Sequence, residues 1–390
     1  MLRPLAAWPQ NKSRPSPILY GSVSCRFVFD NFYYSCYSNF MKNFSVSFQQ
    51  SPYLLKYRFF PFREYLKEQF PYKVHKISLH AGFTCPNRDG RVGVGGCTYC
   101  ANESFSPNVK GPYLSIKEQI KKGKAFHKQR YGAEKFIAYF QSFTNTYADV
   151  ETLRLCYEEA LADKDVIGIS IGTRPDCITD DSIDLINGYT ENYHVWIEYG
   201  LQSIHDATLR RMNRGHDYRT FLNAINRTKK TCIRICVHVI LGLPGETRED
   251  MIETAKAVAG LNIQGIKLHH LYVAKNTALA KEYFEGKIQT LDMNTYIQLA
   301  ADFLEHIPSD VTVQRLVGDT HGDFLISPVW KASKAEITSG ISRELEHRGS
   351  YQGCLYKSEI PVRTNHLTSA PVLHIQGQDS KKPKLHTINI

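Results

Sequence analysis

The stretch from residue 73 to 100, KVHKISLHAGFTCPNRDGRVGVGGCTYC, passes from a β-branched run straight into a glycine-broken loop with three cysteines. VHKISLH (74–80) has the length and composition of a β-strand. Beyond it, eleven residues separate Cys85 from Cys97 and two separate Cys97 from Cys100. Three thiols are too few for a four-thiolate zinc site and one too many for a disulfide. Two readings stay open at this spacing: zinc completed by His75 or His80, and an iron–sulfur cluster with one iron left to an outside ligand. The glycines at 90, 93, 95 and 96 let the loop wrap tightly around either centre.

Outward from that loop the chain alternates. Short apolar runs recur as KFIAYFQ (135–141), VIGISI (166–171), HVWIEYG (194–200), IRICVHVILG (233–242) and GIKLHHLYV (265–273). Amphipathic segments separate them at 116–130, 149–163, 180–192, 205–212, 218–230 and 248–260, with Thr179 or Asp180 and Thr247 as N-caps. Repeated βα units imply a parallel sheet. Six units fall short of a closed eight-stranded barrel, so the expected α/β fold is a partial (β/α)6 barrel over residues 62–310. Its chemistry belongs at the C-terminal ends of the strands, where the cysteine loop falls. Residues 311–353 read as a short C-terminal extension over the open side.

Composition sets the outer limits. The 390 residues carry a net charge of +10, which favours polyanionic partners such as nucleic acid. Ten cysteines with one tight cluster argue against a disulfide scaffold and for a metal site in a reducing compartment. No run approaches the length of a membrane span. Residues 1–50 hold five basic side chains, eight serines and a single acid, Asp30, a transit-peptide composition. They are expected to direct the chain to an organelle, the chloroplast in preference to the mitochondrion. The tail, 354–390, lacks periodicity and is expected to be disordered.

Six blocks in order carry a resemblance: residues 73–100 as quoted, AYFQSFTNTYA, GISIGTRPDC, EYGLQSIHDATLRRMNRGHD, HVILGLPGET and GIKLHHLYVAKNT. Together they resemble the radical S-adenosylmethionine (SAM) superfamily, and within it the YhcC-like branch, which spaces its cysteines as this chain does. The resemblance implies that Cys85, Cys97 and Cys100 ligate a [4Fe–4S] cluster whose fourth iron binds SAM. It further implies reductive cleavage of SAM to a 5′-deoxyadenosyl radical, fed by a reductant such as ferredoxin or flavodoxin. Tyr99 would lie near the adenine, and Arg214 in NRGHD, beside His216, would serve as a carboxylate fork. Gln141, with Thr144 and Asn145, stands where relatives carry a Gly-Gly-Glu segment that this chain lacks. GTRPD (172–176) resembles the third-strand signature of the elongator catalytic subunit, so Arg174 joins the cofactor candidates unless it pairs with Asp176.

Glu198 and Gln202 end the fourth strand as further cofactor contacts, and LGLPGE (241–246) could line the adenine. Alternation sends Lys267 and His269 to one face of the sixth strand, as the catalytic candidates. Cys232 and Cys236 read as core thiols, Cys177 as a possible cavity residue, and Arg315 and Asp319 as neighbours of the cavity. The elongator-like blocks and the positive charge imply a tRNA substrate, with modification of the wobble uridine's side chain. The alternatives are a radical reaction on a small metabolite or protein, and a non-catalytic zinc- or cluster-stabilised binding protein. The chain after the barrel is too short for an acetyltransferase domain and a tail.

Overall fold

In the computed structural model, residues 52–109, 113–318, 320 and 323–357 are described. The leader (1–50), Asp319 and the chain beyond 357 lie outside them. The strands are β1 (Val74–Leu79), β2 (Lys135–Phe140), β3 (Val166–Thr173), β4 (His194–Gln202), β5 (Arg234–Leu241), β6 (Gly265–His270), β7 (Val273–Ala274), β8 (Thr312–Arg315) and β9 (Leu325–Ser327). Seven form one parallel sheet in the order β1-β2-β3-β4-β5-β6-β8, and β7 pairs antiparallel with β9. The edge strands β1 and β8 are not paired with each other, so the barrel is partial, as expected. The expected count of six strands is corrected to seven. TVQR (312–315) joins the sheet beside β6, although four residues with three polar side chains give little strand signal.

Helices fill the crossovers where capping chemistry starts them. Ser115 and Glu118 form a capping box before the helix Ile116–Tyr131, and Gly132 ends it in the left-handed region. Thr179, rather than Asp180, caps Asp180–Gly188, and Thr247 caps Arg248–Ala259. Among the described residues no helix is long and apolar enough to cross a membrane.

Period-two alternation divides each strand between two environments. Val195, Ile197, Tyr199 and Leu201 of β4, with Val237, Val239, Ile266 and Leu268, pack outward in one core with helix residues such as Tyr157, Phe221 and Met251. The opposite faces turn into the barrel. Val74, Ile137, Trp196 and Cys236 form an apolar plug there with Phe60, Tyr65 and Leu66. One step along the strands lies a polar layer, and beyond it the cysteine loop. Cys232, expected in the core, is exposed in the turn before β5.

The open edge is closed by chain segments far apart in sequence. Val313 N–H donates to Phe60 O at 2.7 Å, continuing the sheet one bridge beyond β8. The fully buried Gln352 accepts from Phe60 N–H at 2.9 Å and donates to Pro308 O and Val311 O at 2.7 Å each.

Candidate active site

The cysteine loop is held by its own backbone and by two later segments. Arg88 N–H donates to Cys85 O at 2.8 Å, Gly96 N–H to Asn87 O at 2.7 Å and Cys100 N–H to Cys97 O at 2.9 Å. Thr98 is clamped on both sides: its N–H donates to Met212 O at 3.1 Å, and its carbonyl accepts from Leu279 N–H at 2.9 Å. The Arg88 guanidinium donates to Cys100 O at 2.5 Å. A Cβ on Gly96 would stand 2.8 Å from Arg88 Nε, and φ there is +84°. Gly96→Ala therefore combines left-handed strain of about 1–2 kcal/mol with displacement of that arginine. We expect it to lower iron and sulfide per chain after reconstitution. Gly95→Ala, at φ +81° with nothing within 4 Å of the new Cβ, should lower them less.

Two arginines converge on Cys97, the buried member of the set. Arg214 donates from NH1 to Cys97 Sγ at 3.3 Å and to the Tyr99 hydroxyl at 3.2 Å, and from NH2 to Gly200 O at 2.5 Å. Asn87 Nδ2 reaches the same sulfur at 3.7 Å. Arg174 is bidentate to Asp176 at 3.0 and 2.8 Å, the pairing left open above, and its charge also acts on Cys97. Burial alone would raise the Cys97 thiol; the Arg214 and Arg174 charges and the hydrogen bonds more than offset it, leaving it below its ordinary value. Cys100 is pushed up to about 11 by burial and by Cys97. His216 accepts from Arg214 NH2 at 3.0 Å, and burial beside both arginines lowers it to about 2, so it stays neutral.

The donor set fits an iron–sulfur cluster better than one zinc ion. Around a single tetrahedral ion with Zn–S bonds of about 2.3 Å, sulfurs sit about 3.8 Å apart. Among the described residues, the one His, Cys, Asp and Glu set with ligand atoms all within 4.8 Å of one another is His205, Asp250 and Glu253, so the three cysteine sulfurs are spread wider. Neither proposed zinc histidine is aimed at them: His75 stacks on Tyr131 at 4.8 Å, and His80 lies against Phe143. Buried Arg174 NH1 and Arg214 Nε have no hydrogen-bond partner, which suits an anionic group beside them. A cavity of about 330 Å³ adjoins the loop, lined by Arg88, Gly96, Cys97, Cys100, Phe143 and Lys275, among others.

Deeper in the barrel lies the polar layer. Glu198, fully buried, accepts from Ser170 Oγ at 2.6 Å and Lys76 Nζ at 2.7 Å on one oxygen, and meets His238 Nε2 at 2.8 Å and Lys267 Nζ on the other. Lys76 also donates to Gln314 Oε1 at 2.7 Å, and Lys267 to the Tyr139 hydroxyl at 3.1 Å. Burial pushes Lys267 down to about 7, against the pull of Glu198. Glu198 was expected at the cofactor; both its oxygens are instead taken by the protein's own cations, and Lys267, expected to be catalytic, is one of them. His269 shares the inward face, with its Nε2 buried and unpartnered.

The other expected residues fall at the strand ends. Gln141 N–H bonds to Leu79 O at 3.4 Å at the end of β2, and Gln202 closes β4 at φ +77°. Asn145 Nδ2 donates to Gly172 O at 2.8 Å, while Thr144 Oγ1 is buried without a partner. Cys177 lies within electrostatic reach of Cys85, and burial pushes it up to about 12. Sequence reading missed Lys76, Ser170, His238 and Asn87. Period-two alternation on β1, β3 and β5 was the available signal for the first three; Asn87 gave none beyond its place in the loop.

The chain matches the family model described as the radical SAM superfamily over residues 85–258, and the Radical_SAM C-terminal domain over 263–347. It is 44% identical to the uncharacterized protein YtqA of Bacillus subtilis over 303 residues, 77% of this chain and 93% of that one. Protein YhcC of Escherichia coli is 34% identical over 297 residues, 76% and 95% of the two chains. Elongator complex protein 3 of Saccharomyces cerevisiae is 26% identical over 184 residues, 46% of this chain and 32% of that one. Among solved structures, the archaeal Elp3 of Methanocaldococcus infernus superposes with a TM-score of 0.53 at 16% identity, covering 72% of this chain and 64% of that one.

Proposed function

The chain belongs to the radical SAM superfamily, and on that basis we propose that it modifies the side chain of the wobble uridine in tRNA. It is an enzyme that uses a [4Fe–4S] cluster and SAM. Cys85, Cys97 and Cys100 would hold the cluster, and the iron they leave free would take the amino and carboxylate groups of SAM. Together the two groups supply hydrogen-atom abstraction from unactivated C–H bonds.

The protein's own part follows from its side chains. Arg214 and Arg174 offset the negative charge of a thiolate-ligated centre and leave two N–H donors aimed beside it. The apolar plug of Phe60, Tyr65 and Trp196 closes the barrel below the polar layer and keeps water from reaching the site by that route.

One observation carries the tRNA reading. The blocks that resemble the elongator subunit, GTRPD and GLQS…NRGHD, are those that bring Arg174 and Arg214 to Cys97. Without residues 1–50 the charge is still about +6 (43 basic against 37 acidic side chains), which agrees with a polyanionic substrate. Chloroplast import and a ferredoxin- or flavodoxin-type reductant complete the proposal.

Two measurements test it. Anaerobically reconstituted enzyme with dithionite and SAM is expected to release 5′-deoxyadenosine. Nucleosides from the tRNA of cells with and without the gene are expected to differ at the wobble uridine, and identical profiles there would remove tRNA as the substrate.

A further inference from the structure

We propose that the helix Ile116–Tyr131, along the β1 edge of the sheet, is a docking surface for the stem of a structured RNA. Its lysines would follow phosphates, and the ring cluster at its C-terminal end would stack on an unpaired base. This rests on the tRNA reading and extends it to a surface outside the cysteine site.

The helix carries Lys117, Lys121, Lys122, Lys124, Lys128 and Arg130 against a single acid, Glu118. That acid is engaged with Ser115 in the capping box. Lys117, Lys121, Lys124 and Lys128 recur at helical spacing and form one stripe. Lys124 is bridged to Asp163 and Asp165 at 2.7 Å each, and Lys128 to Asp165 at 3.3 Å. Among the described residues, Lys117, Lys121, Lys122 and Arg130 make no ion pair. Lys122 is offset in part by Glu118 one turn away, and Arg130 lies over the Tyr131 ring at 5.7 Å, yet the helix as a whole keeps a strong positive excess.

The rings are the second, independent observation. Tyr131 stacks on His75 at 4.8 Å and 18°, and on His127 at 5.7 Å and 28°, with Phe126 edge-on at 6.1 Å. Phe126 is 57% exposed and Tyr131 42%. Burial lowers both histidines below their ordinary range, so their rings are neutral near pH 7. An acidic protein would suit the lysines, but an exposed ring stack beside them matches nucleobases, which carry a π-face.

Placement links this surface to the site. Gln119, in the first turn, holds both backbone groups of His80 at 2.8 Å, next to the start of the cysteine loop. Tyr131, in the last turn, meets His75 at the beginning of β1. The helix therefore runs about 24 Å along the edge strand and its lysine stripe about 17 Å of that, starting at the end where the cysteines lie. A stem whose loop enters the barrel mouth would lie against it.

The test is binding of fluorescein-labelled tRNA to the full chain, followed by anisotropy across a potassium chloride series. A triple variant, Lys117→Ala, Lys121→Ala and Lys122→Ala, should weaken binding at least tenfold and flatten the salt slope by about 2–3. Phe126→Ala with Tyr131→Ala should weaken binding about tenfold at an unchanged slope, since stacking releases no counterions. Release of 5′-deoxyadenosine from SAM with dithionite should match the unaltered enzyme in both, which shows that they fold. If both variants bind tRNA like the parent, the surface is wrong and the wobble-uridine reading stands. If the parent binds poly-glutamate but not tRNA, the surface serves an acidic protein and both readings fall. Variant-sensitive tRNA binding with an unchanged wobble nucleoside would keep the surface and remove the reaction.

Discussion

Cys97→Ser is expected to fold normally, take up little iron and release 5′-deoxyadenosine only at the background rate. Cys97 is the buried thiol of the three, and Arg214 and Asn87 both donate to its sulfur. Those contacts with Arg174 favour a thiolate, the form that binds iron. A serine hydroxyl stays protonated there, offers a hard donor and leaves two buried guanidinium groups without their shared anion. Cys177→Ser is the control: that thiol lies near Cys85 yet sits outside the three-cysteine set, and iron content should hold. Iron and sulfide analysis with product chromatography gives the answer. Wild-type product from Cys97→Ser would overturn the ligand assignment.

Glu198→Gln should cost stability without touching the cysteines. The substitution removes the carboxylate that Lys76, Lys267 and His238 share inside the barrel. Breaking a buried pair from one side costs about 3–5 kcal/mol, because the partner charge stays buried and unpaired. Urea denaturation of the parent and variant should show a loss of that size. Adding Lys267→Met to the variant should recover part of it, since one stranded cation is then gone.

The same group sets an acid limit. Burial raises the Glu198 carboxyl, but Lys267 and Lys76 more than offset this and hold it well below its ordinary range. Its contribution is therefore fully present above the unfolded value, about 4.3. It is lost as pH falls from there toward the folded value. The urea midpoint of the parent should drop over that window, and that of Glu198→Gln should drop less.

Much of this architecture could be read from residue patterns, and the exceptions have physical causes. The cysteine loop showed because thiol spacing is local information. The strands showed through their apolar outward faces, yet the inward alternation Trp196–Glu198–Gly200–Gln202 looked like part of a uniformly apolar run. Seen two residues at a time, it places Glu198 inside. What local pattern could not supply was its partners: Lys76 comes from the first strand and Lys267 from the sixth, and they meet only when the sheet curls. The seventh strand was missed because TVQR is short and mostly polar, and its place depends on pairing with β6. Cys236 was buried as expected while Cys232 was not, since four residues back from Cys236 the chain is still in the turn.

The seam at Gln352 has a consequence for how the fold closes. The cysteine loop is clamped by Met212 and Leu279. Phe60 pairs with Val313 and with Gln352, the latter across a separation of 292 residues. Contacts so far apart in sequence carry the largest loop-closure entropy. The barrel's lower entrance is therefore expected to shut after its neighbouring strands have paired.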